Sequence, residues 1–156
     1  MKKILSIIML SLLLQSQIYA ATIPEGTMLV VQPQKEINAD NVKEGDRVNF
    51  TVVQPVKVNN EVIIKSGKEV TAEVVKKRNN GILGIPGELE LGNFELLTSN
   101  NDIIRLRGTV ADKGEGRYWA NAGWFFLFPI LFIKGDDGKI RVNSTHRLYT
   151  VEDFNL

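Results

Sequence analysis

Cysteine is absent from all 156 residues. That excludes disulfides, thiolate metal sites, iron–sulfur clusters, a cysteine nucleophile and a lipoprotein anchor. Histidine occurs once, as His146, so no multi-histidine metal centre can form. An excess of one charge is missing too: 19 Lys and Arg against 18 Asp and Glu leave +1. Bulk charge therefore gives no argument for nucleic acid, acidic substrates or anionic lipid. Gly-rich phosphate-binding signatures of the dinucleotide and P-loop kinds are absent, and no cofactor is expected. Thirteen Gly and five Pro are too few for a disordered or collagen-like chain. What is present, 44% hydrophobic and 24% charged residues, reads as one soluble globular domain.

The start of the chain has the layout of a signal peptide. Lys2 and Lys3 are basic, residues 4–14 are apolar apart from Ser6 and Ser11, and Ala20 precedes Ala21. Residues 1–20 are expected to be removed, and residues 21–156 to form a single β domain. The eleven residues of the apolar core span about 16 Å as a helix, short of a hydrocarbon core of about 30 Å. Cleavage leaves 136 residues and shifts the net charge from +1 to −1, since two lysines and no acids are lost. The expected location is the periplasm or the periplasmic face of the outer membrane.

Beyond the leader, the chain reads as short strands and turns. In residues 47–54, Val48, Phe50 and Val52 alternate with Asn49, Thr51 and Val53, the period of a half-buried strand. In residues 69–77, Val70, Ala72 and Val74 oppose Thr71, Glu73 and Val75. Residues 28–31, 61–64, 88–91, 94–97, 103–110 and 148–151 carry further strand signals, with Ile140 and Val142 between the last two. Residues 38–46 are too polar for more than a turn, and no sustained 3.6-residue stripe occurs after the leader. Residues 111–121 read as a loop, and Asp136, Asp137 and Gly138 as a hairpin turn. A turn before an outgoing strand recurs at residues 23–29, 64–70 and, without its glycine, 142–148. The expected fold is all-β, a small closed or partly open barrel or sandwich. Closure removes sheet edges and favours the barrel.

Residues 124–133 are ten apolar residues in a row, with four of the seven phenylalanines and one of the two tryptophans. An apolar excursion is expected at about residues 120–134. It has three ways to be buried: as core, in a membrane leaflet, or against a protein partner. One helix of that length spans only about 15 Å, and Pro129 interrupts either regular element. The candidate interaction residues are Trp124, Phe125, Phe126, Leu127, Phe128, Ile130, Leu131 and Phe132.

Catalytic candidates are few. Ser144 and His146 share a strand face, with Asp136, Asp137 and Glu152 as carboxylates that a triad would need, but no nucleophile elbow surrounds the serine. The paired carboxylates Glu88 with Glu90 and Glu69 with Glu73 read as solvated strand faces. Lys76, Lys77 and Arg78 form a short basic run, commoner as a solvated strand end than as a headgroup or phosphate contact. Asp136, Asp137 and Gly138 lack the rest of a calcium loop.

The order of signals resembles a family of small exported bacterial β-domain proteins. The matching residues are Pro24-Glu25-Gly26-Thr27, Lys43-Glu44-Gly45-Asp46-Arg47-Val48-Asn49-Phe50, Val62-Ile63 through Gly67, Val70, Ala72 and Val74, Gly84-Ile85-Pro86-Gly87-Glu88-Leu89-Glu90-Leu91, and Ile104-Arg105-Leu106-Arg107-Gly108. More distantly the order is similar to the β-barrel domain of the VirB10/TrbI group of secretion-channel proteins. That resemblance implies a barrel with an apolar excursion reaching toward the outer membrane, and it carries no assigned active site. The expected function is a non-catalytic envelope domain that docks on a membrane surface or an envelope protein through its apolar segment. The competing expectations are a carrier of an apolar ligand, with the aromatics lining a cavity, and an enzyme of unrecognised type.

Overall fold

In the computed structural model of the chain, residues 22–81, 85–98, 100–116 and 134–155 are described. The leader (1–20) and the apolar run (124–133), including every candidate interaction residue, lie outside them.

Six strands close on themselves: β2 (Met28–Pro33), β4 (Arg47–Val52), β7 (Glu69–Arg78), β8 (Glu88–Leu97), β9 (Ile103–Arg107) and β12 (His146–Thr150). Each pairs antiparallel with the barrel strand next in sequence. The ring is closed by β12 against β2, with Leu148 opposite Leu29. This is a closed up-and-down barrel, one of the small all-β forms, barrel or sandwich, that the alternation predicts. A seventh strand, β10 (Val110–Lys113), continues along β8 outside the ring.

Period-two alternation places one apolar set inside. Leu29 and Val31, Val48, Phe50 and Val52, Val70, Ala72 and Val74, Ile104 and Leu106, and Leu148 are all buried. On β8 the inward set changes phase, from Leu89 and Leu91 to Phe94 and Leu96. The register with β7 shifts there, and Asn93 adopts φ 49°. Such a bulge sharpens the local bend, which helps a six-strand sheet to close. Phe50 and Phe94 meet edge to face at 5.7 Å near the centre.

Thr150 is the buried polar side chain among the described residues. Its Oγ1 donates to Pro24 O at 2.7 Å and accepts from Thr27 N–H at 2.9 Å. This ties the first turn to the closing strand. The same mouth carries the pair β1 (Thr22–Ile23) with β13 (Phe154–Asn155) and the hairpin β5 (Val56–Val58) with β6 (Glu61–Ile64). The opposite mouth carries β3 (Ile37–Asn38) paired with β11 (Lys139–Ile140), and one 3-10 turn, Ala39–Asn41. Two of the recurring turns match: Gly26 and Gly67 sit at φ 77° and 85°.

Several boundaries depart from the sequence reading. Residues 103–110 are not one strand. The chain breaks at Gly108, where a Cβ would collide with Leu148 Cδ2 at 2.5 Å. Residues 111–113 are strand, not loop, held by backbone pairing with Glu88–Leu91. Asp136, Asp137 and Gly138 make no hairpin; they cross the barrel mouth as irregular chain before β11. Val142 lies in a turn; residues 148–150 are strand, within β12, and one further short strand, β13, follows them.

Candidate functional site at the barrel mouth

The mouth opposite the β1–β13 pair is held together by backbone hydrogen bonds. Gly114 donates its N–H to Gly87 O at 3.0 Å, and Gly87 donates to Asp136 O at 2.9 Å. Asp136 donates to Glu115 O at 3.2 Å, and Gly135 to Gly81 O at 3.2 Å. Ala39 donates to Gly138 O at 3.0 Å. Two side chains join this set: Asn80 Nδ2 donates to Gly135 O at 2.9 Å, and Asp112 Oδ2 accepts from Lys139 N–H at 2.8 Å.

Four glycines make this packing possible. A Cβ at Gly114 would overlap the Asp136 carbonyl, and one at Gly135 would overlap the Ile85 carbonyl. A Cβ at Gly87 would lie 2.9 Å from Gly138 N, and one at Gly138 would lie 2.9 Å from Leu89 N. These are clashes with backbone, which cannot swing aside as a side chain can. The need here is for space. The sequence reading missed this junction, although the signal was available: Gly114 and Gly116 precede the apolar run, and Gly135 and Gly138 follow it. Whatever path residues 117–133 take, it starts and ends here.

Beside the junction the barrel wall divides. Below it, β9 pairs with β12, Arg107 opposite Tyr149. Past Gly108 the chain follows β8 as β10, while β12 stays on β2 as far as His146. The divergence opens a groove of about 710 Å³, lined by Asp112, Glu115, Asp137, Arg141, Ser144 and His146 among others. Its lining is polar and charged with both signs. No group of three or more His, Asp or Glu able to hold a metal ion occurs among the described residues.

Ser144 and His146 do meet, with Oγ 2.9 Å from Nε2. The serine hydroxyl also lies 2.6 Å from Arg141 O. A carbonyl only accepts, so the hydroxyl proton points to it, and Nε2 must donate to Oγ. A nucleophilic serine needs the reverse, an unprotonated nitrogen accepting its proton. The histidine ring packs edge to face on Phe50 at 6.2 Å. Burial lowers its pKa below the ordinary 6.5 and favours the neutral ring. The pair therefore works as a turn closure, together with Ser144 N–H on Arg141 O at 3.0 Å.

The remaining candidates sit apart. Glu88 is paired with Lys76 at 3.2 Å and Arg78 at 3.7 Å. The Lys76 hydrogen bond holds its carboxyl below the ordinary range. Glu73 accepts from Asn93 Nδ2 at 2.9 Å. Against this geometry, no family model matches the chain, and no curated protein is significantly similar to it.

Proposed function

We propose that this chain is a non-catalytic cell-envelope domain, a small closed barrel that presents the apolar segment 124–133 to a membrane surface. The observation that carries the reading is the junction between Glu115 and Asp136. The barrel ring closes through six strands drawn entirely from other residues, and the excursion is returned to its starting point at one mouth. Removing aromatic area from water favours docking by about 25 cal/mol per Å². Orienting the domain offsets part of this. The basic start and short apolar core of residues 1–20 support export to the periplasm or the periplasmic face of the outer membrane.

Carriage of an apolar ligand has less support. Phe50, Phe94, Leu29, Leu89 and Leu148 occupy the barrel interior, and the large groove at the mouth is polar. The Ser144–His146 proton arrangement supports the non-catalytic reading. The test is flotation of the exported protein with phosphatidylethanolamine/phosphatidylglycerol vesicles. The wild type is expected to float. A variant with Trp124, Phe125, Phe126, Phe128 and Phe132 changed to Ser is expected to remain at the bottom. A folded wild type that stays at the bottom while co-purifying stoichiometrically with one envelope protein through the same residues would replace the membrane by a protein partner.

A further inference from the structure

Charge is unevenly spread around the barrel wall. Strands β7 and β8 carry Glu69, Glu73, Glu88, Glu90 and Glu95. Of the bases on the same strands, Lys76 and Arg78 are paired with Glu88, and Lys77 Nζ donates to Val42 O. Around the ring, β9, β12 and β2 lie side by side and contain no carboxylate. Their outward positions carry Arg105 and Arg107 on β9 and Arg147 on β12. The whole chain is close to neutral, so this is a local separation of charge.

Neither Arg105 nor Arg147 makes an ion pair among the described residues. Glu95 stands opposite Arg105 in the β8–β9 register without forming one. Arg107 meets Glu25 at 3.7 Å, with both side chains more than half exposed, and such a pair holds its arginine weakly. Tyr149 lies opposite Arg107 on one side and Met28 on the other, and both Tyr149 and Met28 are exposed. Beside Arg147 a groove of about 530 Å³ opens, lined also by Met28, Val30, Gln54, Thr109 and Thr145. None of its lining residues is acidic. The groove at the mouth carries both signs and selects no ligand charge.

We propose that the outward face of β9, β12 and β2 is the surface the barrel turns to anionic phospholipid, with Arg105, Arg107 and Arg147 on the headgroup phosphates. The inference rests on the membrane reading above and adds to it a lipid class and an orientation. A guanidinium is planar, permanently charged and able to fork onto two phosphate oxygens. Residues two apart on a strand are separated by about 7 Å and neighbouring strands by about 4.8 Å, so the three arginines leave one small area of wall. Tyr149 and Met28 between them suit the headgroup boundary, where amphipathic rings concentrate. The hydroxyls of Thr109 and Thr145 and the Gln54 amide add donors for a phosphodiester oxygen. The glutamates of β7 and β8 are repelled by the same lipid, which favours this face over that one.

The test is partition of the full exported chain onto two kinds of vesicle, phosphatidylethanolamine with phosphatidylglycerol and phosphatidylethanolamine with phosphatidylcholine. The wild type is expected to bind the phosphatidylglycerol vesicles more tightly, by a margin that shrinks as salt is raised. Each arginine at an anionic surface contributes about fivefold, so Arg105→Gln with Arg147→Gln should weaken that binding by about 25-fold. Binding to the phosphatidylcholine vesicles should not change. Arg47→Gln with Lys57→Gln removes the same charge from exposed sites outside the face and should match the wild type. All four side chains are exposed, so both variants should keep the wild-type thermal transition. Arg105→Lys with Arg147→Lys keeps the charge and should restore most of the preference; it decides the matter if the Gln variant does not fold.

Equal binding of the wild type to both vesicles, unchanged in the Gln variant, would overturn the proposal and leave the membrane reading intact. Equal weakening by the Arg47 and Lys57 changes would overturn it too, since bulk charge would then suffice. Salt-sensitive self-association without lipid, abolished by the Arg105 and Arg147 changes, with no phosphatidylglycerol preference, would give the face to a second copy of the chain instead. A wild type that binds neither vesicle would overturn the membrane reading and this proposal with it.

Discussion

The N–H of Asp136 meets the carbonyl of Glu115 at 3.2 Å, bringing the described chain on either side of residues 117–133 together at one mouth of the barrel. The bond joins β10, the strand outside the ring, to the chain that enters β11.

Phe50 and Asn49 give the sharpest test of the wall. Phe50 is fully buried between Phe94 and the His146 ring, while Asn49 faces water. Truncating a buried Phe to Ala costs about 3–5 kcal/mol, and Phe50→Asp adds an unpaired buried carboxylate. Phe50→Asp should abolish the folded state, since a domain's whole stability is about 5–15 kcal/mol. Asn49→Asp should change stability by less than about 0.5 kcal/mol. Circular dichroism during urea titration distinguishes the two.

Gly26 and Gly67 test the matched turns. Both have positive φ and open space around the missing Cβ, so a substitution is penalised by backbone conformation alone. Alanine at either site should destabilise by about 1–2 kcal/mol, and asparagine by less. Thermal melts of the four single variants check this. Equal melting of the Ala and Asn variants at both sites would contradict it.

His146 sets a pH dependence. Burial depresses its pKa in the folded chain, so between the folded and unfolded values the unfolded chain binds the extra proton. Its contribution is then fully present above the unfolded value near 6.5 and is lost as pH falls through the folded value. Urea midpoints at pH 7.5 and pH 5 should fall further for the wild type than for His146→Phe, which keeps a ring against Phe50 and cannot titrate.

Ser144 tests the chemistry. Its hydroxyl proton is committed to Arg141 O, so a serine-directed fluorophosphonate probe should leave it unlabelled. Ser144→Ala should lower stability by about 1 kcal/mol through loss of the turn bonds. Stoichiometric labelling of Ser144 would reopen the enzyme reading.

The strands that were legible in the sequence are those whose two faces differ. Val48, Phe50 and Val52 against Asn49 and Thr51 announce β4, and Val70, Ala72 and Val74 announce β7. The site was much less legible. Ala111, Asp112 and Lys113 have no alternating apolar face, so β10 exists because the β8 backbone pairs with it. The adjoining strand ends at Gly108, a position where a Cβ would collide with Leu148, and that neighbour is forty residues away in sequence. The β1–β13 pair joins residues at opposite ends of the chain, which no local pattern signals. The junction glycines answer to carbonyls distant in sequence, and local patterning carries only their clustering around the apolar run.

The central claim is that the barrel is complete without the apolar segment. Replacing residues 124–133 with a short Gly/Ser linker, with the junction glycines left in place, tests it through thermal unfolding followed by circular dichroism. The account predicts a single cooperative β-sheet transition and loss of vesicle flotation. Loss of the cooperative transition would show that the segment is core and would contradict the account.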